Sequence, residues 1–288
     1  AETHKANTIG VILSGSANDG TIGMKSIKHE GGLTFAQDDS AKFKSMPLSA
    51  IAAGVVDFIL SPKEIAKELT RLSTHAGSVK NGWIQRPEDG IDNNDADLKS
   101  ILIQLQQSTD VDFSAYKMKT IKRRILRRML MHKTKTLKQY ALYLKNTPEE
   151  LNILFQDLLI NVTAFFRDTE VHKYLKTSLL TKLLKGKKPG EALRIWVPAC
   201  STGEEAYSIA MMLLEISDTL NSPCRIHIFA TDLSEAAIKK ARIGLYSKEE
   251  LEAVTPKRVQ RFFTRSEGGF RIGKMVRDIC VFAQHNIL

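Results

Sequence analysis

From Thr8 to Leu72 short apolar runs alternate with stretches of helical period. Thr8-Ile9-Gly10-Val11-Ile12-Leu13 is apolar enough to predict a buried strand. Leu33-Thr34-Phe35-Ala36-Gln37 and Val55-Val56-Asp57-Phe58-Ile59-Leu60 predict two more. Thr21 to Glu30 predicts a helix that Gly31-Gly32 brings to an end. Ser45 to Ile51 predicts a second, with Pro47 near its first turn, where a missing N–H is tolerated. Pro62 to Leu72 predicts a closing helix. Strand and helix in alternation imply a parallel sheet, whose ligands gather at the C-terminal ends of the strands. Asp19 falls at such an end, in Asn18-Asp19-Gly20, a sequence that also suits an ordinary turn.

The pattern then changes. His75 to Asp97 is rich in Gly, Asn, Asp and Pro, has little periodicity, and reads as a linker in which Trp83 and Ile84 pack locally. Helical spacing resumes over Leu98 to Gln107, Phe113 to His132, Leu137 to Leu144 and Pro148 to Leu159, a small helical unit. In the third of these regions of the chain, Arg194-Ile195-Trp196-Val197 predicts a buried strand and Ala206 to Leu214 a helix. A further strand, Arg225-Ile226-His227-Ile228-Phe229-Ala230, ends in Thr231-Asp232. The fold class is therefore α/β: a partial doubly wound sheet, a small helical domain, and a Rossmann-like domain.

Composition narrows the class. With 288 residues the chain suits about two ordinary domains, and 43% hydrophobic with 26% charged residues describes a globular protein. No apolar run approaches the roughly 20 residues that span a bilayer, so direct membrane insertion is not expected. No signal peptide stands at the start. Cys200, Cys224 and Cys280 are scattered without metal-ligand spacing, which suits a reducing cytoplasm. The net charge of +10 favours an acidic partner: nucleic acid, an anionic membrane or an acidic protein. The charge is densest where Lys122, Arg123, Arg124, Arg127 and Arg128 surround the apolar stripe Ile121, Ile125 and Met129. That helix reads as a solvated face, a nucleic-acid helix or a docking helix for an acidic protein, and no base-reading pattern supports the second.

The candidate chemistry lies around Pro198-Ala199-Cys200-Ser201-Thr202-Gly203-Glu204-Glu205. A strand, a small-residue loop, a helix, a strand and a terminal acid are the layout of a nucleotide-type cofactor site, the acid suiting two ribose hydroxyls. Only Gly203 stands where a dinucleotide fingerprint needs three glycines, and no lysine follows as in a P-loop. An acidic loop repels pyrophosphate but tolerates a phosphate-free cationic cofactor, and S-adenosyl-L-methionine is one. The same layout also fits an ordinary strand-helix-strand unit with a polar loop. Ahead of it, Asn161 and Thr163 would share a face if extended, and Phe165 and Phe166 precede Arg167 as core residues or as a pocket wall.

Leu13-Ser14-Gly15-Ser16-Ala17-Asn18-Asp19-Gly20-Thr21 and Ser45-Met46-Pro47-Leu48-Ser49-Ala50-Ile51 resemble the C-terminal part of chemotaxis receptor methylesterases, the CheB family. The resemblance implies hydrolysis of glutamate methyl esters by a Ser-His-Asp triad in which Asp19 orients the histidine. It places the serine and histidine upstream of Ala1, so the piece as it stands is expected to be inactive as an esterase. A substitute triad of Ser14, Ser16 and His29 is rejected, since nothing fixes His29 near a serine. Asn161 to Arg167, Ala199 to Ser208 and Ala230-Thr231-Asp232 resemble the chemotaxis receptor methyltransferase family, CheR. That resemblance implies S-adenosyl-L-methionine as methyl donor, with contacts at Asn161, Thr163, Arg167, Glu205, Asp232, Asn286 and Ile287, and a catalytic role for Arg167. It also implies that Arg123, Arg124, Arg127 and Arg128 dock the acidic helical methylation region of a chemoreceptor-like protein, not nucleic acid.

The resemblances divide the chain into 1–74, the methylesterase part, 75–97, the linker, 98–159, the receptor-docking helical domain, and 160–288, the S-adenosylmethionine-binding domain. They imply a cytoplasmic protein-glutamate O-methyltransferase fused to part of a protein-glutamate methylesterase, read as an internal piece of a longer chain. A non-catalytic module binding S-adenosylmethionine or a receptor helix is the alternative, and a nucleic-acid methyltransferase a third. The hairpin Phe262 to Ile272, with Gly268-Gly269, is short for gripping a receptor tail. The Arg194–Val197 strand is expected to form an apolar sheet edge prone to aggregation.

Overall fold

A computed structural model describes residues 8–17, 20–78, 91–92, 95–159, 163–188, 190–220 and 224–287, with the backbone alone for 74–78. The chain forms two compact units, Ala1–Ile160 and Asn161–Leu288.

The first unit opens with β1 (Ile9–Ile12), β2 (Leu33–Gln37) and β3 (Phe58–Leu60), a parallel sheet in the order β1-β2-β3. Ile9 pairs with Leu33 and Phe35 with Phe58. The central strand β2 is buried at every position, and the Phe35 ring stacks on Phe58 at 4.9 Å. Between the strands run α1 (Thr21–His29) and α2 (Ser45–Ala52), and α3 (Pro62–Ser78) follows. β3 is shorter than the sequence predicts. Thr34 Oγ1 donates to Val55 O at 2.7 Å, so a side-chain bond takes up the carbonyl there. α3 runs past Leu72 into the expected linker, because Ser73 to Ser78 contains only one glycine to oppose it. Trp83 and Ile84 lie outside the described residues.

The helical part comprises α4 (Ala96–Thr109), α5 (Met118–Met131), α6 (Leu137–Asn146) and α7 (Pro148–Leu158). Asp95 caps α4 by accepting from the Asp97 and Leu98 N–H groups at 2.8 and 3.1 Å. Thr136 caps α6 through the Gln139 N–H, and Pro148 starts α7. The expected stripe Ile121, Ile125 and Met129 is buried, as are Leu98, Ile101, Phe113, Tyr140 and Leu154. A second core gathers Leu33, Phe35, Ile65 and Leu72, and Leu130 and Met131 of α5 pack against it.

The second unit is built on α8 (Thr169–Tyr174), a π-helical stretch Leu175–Leu180, α9 (Thr181–Lys185), β4 (Ala192–Pro198), α10 (Glu204–Leu220), β5 (Arg225–Asp232) and α11 (Glu235–Ile243). β6 (Leu245–Tyr246), α12 (Pro256–Phe262), β7 (Phe263–Ser266), β8 (Gly269–Ile272), α13 (Lys274–Arg277) and β9 (Cys280–Gln284) complete it. β4, β5 and β9 form a parallel sheet in that order, and β6, β8 and β7 an antiparallel one. β4 lies at the sheet edge among the described residues, as expected. It differs in burial: Leu193 and Val197 face the core, but Trp196 is 56% exposed. Trp196 stands beside Phe229, and Phe229 beside Val281, so one face of the sheet shows a row of apolar side chains. A parallel sheet is usually covered on both faces. The expected hairpin turns at Glu267 to Gly269, where Gly268 and Gly269 take φ of 85° and 146°.

No helix among the described residues is long and apolar enough to cross a membrane.

Candidate functional site

The loop after β4 is wound unusually tightly. Ala199, Ser201 and Gly203 have φ of 52°, 49° and 97°, a left-handed conformation that costs non-glycine residues energy. Its surroundings hold it there. The Cys200 N–H donates to Thr231 O at 2.9 Å, and Tyr246 Oη donates to Thr202 O at 2.7 Å. A Cβ at Gly203 would come within 2.9 Å of the Ala241 Cβ, so glycine is required by both space and φ. The loop therefore presents backbone at the C-terminal ends of β4 and β5, where ligands of such sheets bind.

Asp232 ends β5 and braces this loop. Its Oδ2 accepts from the Ser201 N–H and its Oδ1 from the Ser234 N–H, both at 2.8 Å. Each oxygen keeps lone-pair capacity for another donor. Ser234 in turn caps α11 through the Ala237 N–H at 3.2 Å. Glu204 is buried, and both its oxygens accept from Thr202 Oγ1, at 2.9 and 2.6 Å. Burial pushes its carboxyl above the usual range, against the Thr202 bond. Glu205, one residue on, is exposed. The sign of the local field shows at Cys200. Burial first, then Asp232, Glu204 and Glu205, push its thiol up to about 12. A loop that carries Glu204 and Glu205 and is braced by Asp232 suits a cationic, phosphate-free cofactor.

Phe165 and Phe166 join the core of this unit, which agrees with reading them as core residues. Phe165 packs edge-on to Tyr246 at 4.9 Å. Phe166 has φ of 50°, its N–H donates to Ser208 Oγ at 3.1 Å, and that hydroxyl donates to Glu204 O at 2.7 Å. This chain pins the Phe165-Phe166 turn, and so the start of Arg167, to the first turn of α10. The Arg258 guanidinium lies 4.2 Å from the Phe166 ring centroid and grips Glu215 at 2.8 and 2.9 Å. Burial opposes ionisation of Glu215, but Arg258 and Lys176 outweigh it and pull its carboxyl down to about 2.

Thr163 is partly buried and Arg167 exposed. Asn286 and Ile287 are exposed just beyond β9. The His285 N–H donates to Asp232 O at 3.0 Å, which brings that segment beside the site. Asn161 and Asp19 lie outside the described residues. Glu204, Ser208 and Tyr246 were not singled out from sequence. Ser208 lies four residues after Glu204, one helical turn on, which is the signal that links them.

The basic helix requires a correction. Arg124, Arg127 and Arg128 are buried at 4%, 2% and 6% exposure, and Arg123 is largely covered. They do not form an exposed docking face. Arg127 donates to Asp57 and to Asp157, and Arg128 to Glu150. Tyr140 Oη also donates to Glu150, at 2.8 Å. Arg124 donates to the Lys28 and His29 carbonyls. The acidic partners lie far away in sequence, so counting charges along the helix missed them.

Three families match in succession: CheB methylesterase over 1–69, the CheR methyltransferase all-alpha domain over 96–159, and the CheR methyltransferase SAM-binding domain over 161–288. The "Uncharacterized 104.1 kDa protein in hypE 3'region" of Rhodobacter capsulatus is 32% identical over 98% of this chain, which spans only 32% of that protein. Chemotaxis protein methyltransferase 2 of Pseudomonas aeruginosa is 31% identical, with 67% of this chain covering 68% of it. The chemotaxis protein methyltransferase of Escherichia coli is 33% identical, with 68% of this chain covering 67% of it. The crystal structure of the Thermotoga maritima CheB methylesterase catalytic domain shares 38% identity over 25% of this chain and 38% of that one, with a TM-score of 0.24.

Proposed function

The chain belongs to the CheR methyltransferase family, with CheB methylesterase sequence ahead of it, and we propose that it methylates glutamate carboxylates of a chemoreceptor. Its cofactor is S-adenosyl-L-methionine. When bound, that group supplies an electrophilic methyl on a positively charged sulfur. The chain's own residues position and shield it. Asp232, braced by two backbone N–H groups, accepts the ribose hydroxyls with its remaining lone pairs. The acidic loop offsets the positive charge. Asn161, Thr163, Glu205, Asn286 and Ile287 supply further contacts. Arg167 orients the acceptor carboxylate or the cofactor.

No general base is needed, because a glutamate carboxylate is already ionised at neutral pH. The work is alignment of oxygen, methyl and sulfur, and a dry site favours a step that neutralises opposite charges. Asp19 is assigned the orienting acid of the methylesterase triad. The two activities would then act in opposite directions on the same methyl esters in the cytoplasm. The observation that carries the reading is the left-handed loop tied to Asp232 within a negative field.

The test is transfer of tritium from labelled S-adenosylmethionine to receptor-bearing membranes by the protein. Label released by mild base is the expected result. Base-stable label would exclude a methyl ester and overturn the reading.

A further inference from the structure

Phe166 is held in a conformation that packing alone does not call for. Its φ of 50° is left-handed, a region that a bulky residue rarely occupies, and the residue is buried. Its buried N–H finds a partner in Ser208 Oγ at 3.1 Å, and that hydroxyl donates to Glu204 O at 2.7 Å. We propose, on the reading that Arg167 contacts the cofactor, that Ser208 is a positioning residue for S-adenosyl-L-methionine. Its hydroxyl fixes the Phe166 backbone, and through it the direction in which Arg167 leaves the turn relative to the acidic loop.

Ser208 is fully buried, and its hydroxyl offers one proton and two lone pairs. The proton goes to the carbonyl four residues back in the first turn of α10, a bond that slightly destabilises and bends a helix. A lone pair then receives the Phe166 N–H from a segment 42 positions earlier. Alanine would suit the helix better and would leave that N–H without an acceptor. The hydroxyl therefore serves the connection between the two segments and not the helix that carries it.

A second tie runs beside the first. Phe165 is fully buried and packs edge-on to Tyr246 at 4.9 Å, and Tyr246 Oη donates to Thr202 O at 2.7 Å. Consecutive residues of the turn are thus connected to Thr202 O and Glu204 O of the loop. The Phe166 ring is also held from its other side. The His172 ring meets it edge-on at 5.5 Å, and the Arg258 guanidinium, anchored on Glu215, lies 4.2 Å from its centroid. The turn that leads into Arg167 and the loop that Asp232 braces therefore form one preorganised unit.

Calorimetry of S-adenosylmethionine binding to the full chain tests this in a double-mutant cycle of Ser208→Ala and Arg167→Ala. Each single variant is expected to weaken binding about tenfold, and the double variant no further than Arg167→Ala alone, because Ser208 acts through Arg167. Ser208→Thr keeps the hydroxyl and is expected to recover most of the affinity. A loss on Ser208→Ala that is equally large with and without Arg167 would mark a merely structural role and overturn the proposal. So would an unchanged dissociation constant. Should Ser208→Ala fail to fold, Ser208→Cys is similar in size and a weaker acceptor. It is expected to lose less affinity with the same dependence on Arg167, and the same two results would overturn the proposal. Transfer of base-labile methyl to receptor-bearing membranes is measured separately. A coupled cycle without transfer would contradict the proposed function and leave the positioning standing. An additive cycle with transfer would do the reverse, and a wild-type chain that binds no S-adenosylmethionine would overturn both.

Discussion

Arg127 and Glu204 are equally buried, at 2% exposure each, yet their surroundings differ in kind. Arg127 meets two carboxylates and a carbonyl within its own unit. Glu204 meets the neutral hydroxyl of Thr202, in a loop that also carries Glu205 and is braced by Asp232. The first arrangement neutralises its charge internally and holds structure. The second gathers Glu204, Glu205 and Asp232 about one short loop, with Lys240 near Glu204. Density of charge in a sequence therefore says less than where the opposite charge comes from. The basic helix looked like a surface for partners, and its arginines are buried against carboxylates and carbonyls of their own unit.

The difference can be broken from the first side most forcefully. Arg127→Met should cost about 3 kcal/mol in denaturant unfolding, because the buried Asp57 and the part-buried Asp157 lose the cation they share. A loss below about 1 kcal/mol would mean that water reaches the pair. Gly203→Ala should follow, costing about 1–3 kcal/mol and weakening S-adenosylmethionine binding measured by calorimetry. Its φ of 97° and the close Ala241 Cβ both oppose a side chain. Unaltered binding and stability would show that the loop relaxes freely.

The pH dependence has opposite signs in the two places. The Glu204 carboxyl is raised in the folded chain by burial, so the folded state binds the extra proton between the ordinary and the raised value. Stability falls as pH rises through that window. Glu204→Gln should therefore stabilise the ligand-free chain at neutral pH, by about 1 kcal/mol. Asp57 is the reverse case. Burial opposes its charge, but Arg127, Lys28 and Thr34 outweigh it and lower the carboxyl. Its contribution is complete above the ordinary value and disappears as pH falls through the lowered one. Glu215, pulled down to about 2 from 4.5, loses its contribution across that interval. Acid titration of Asp57→Asn and Glu215→Gln should thus show a flatter acid limb than the wild type, and a flatter alkaline-going limb in Glu204→Gln. Identical profiles would contradict the pairing described.

The smallest effect is expected at Trp196. Its ring is exposed, and its Nε1 donates to Thr231 Oγ1 at 3.0 Å. Trp196→Lys should change stability by no more than about 1 kcal/mol, while reducing self-association in light scattering.

Much of this was legible in the sequence because it is local. The strand Leu33–Gln37 was placed at its observed bounds by its apolar run, and α5 was placed within Phe113 to His132 by Ile121, Ile125 and Met129 recurring each turn. The loop was legible as a candidate site because its small residues, its acids and Asp232 lie at the ends of adjacent strands. What could not be read was pairing across distance. Asp57 and Arg127 are 70 positions apart, and no periodicity relates them. Glu204 and Glu205 are neighbours with the same chemistry. Only the turn of α10 against its core decides that one is buried and the other exposed. The exposed row Trp196, Phe229 and Val281 escaped for a similar reason: apolar runs mark strands, but not which faces are covered.

The central claim is that the acidic loop, and not the basic helix, receives the cationic cofactor. Amide exchange measured with and without saturating S-adenosylmethionine tests it directly. Slower exchange across Ala199 to Glu205 and Thr231 to Ser234, with α5 unchanged, is the result predicted. No protection at the loop, or protection appearing in α5 instead, would contradict it.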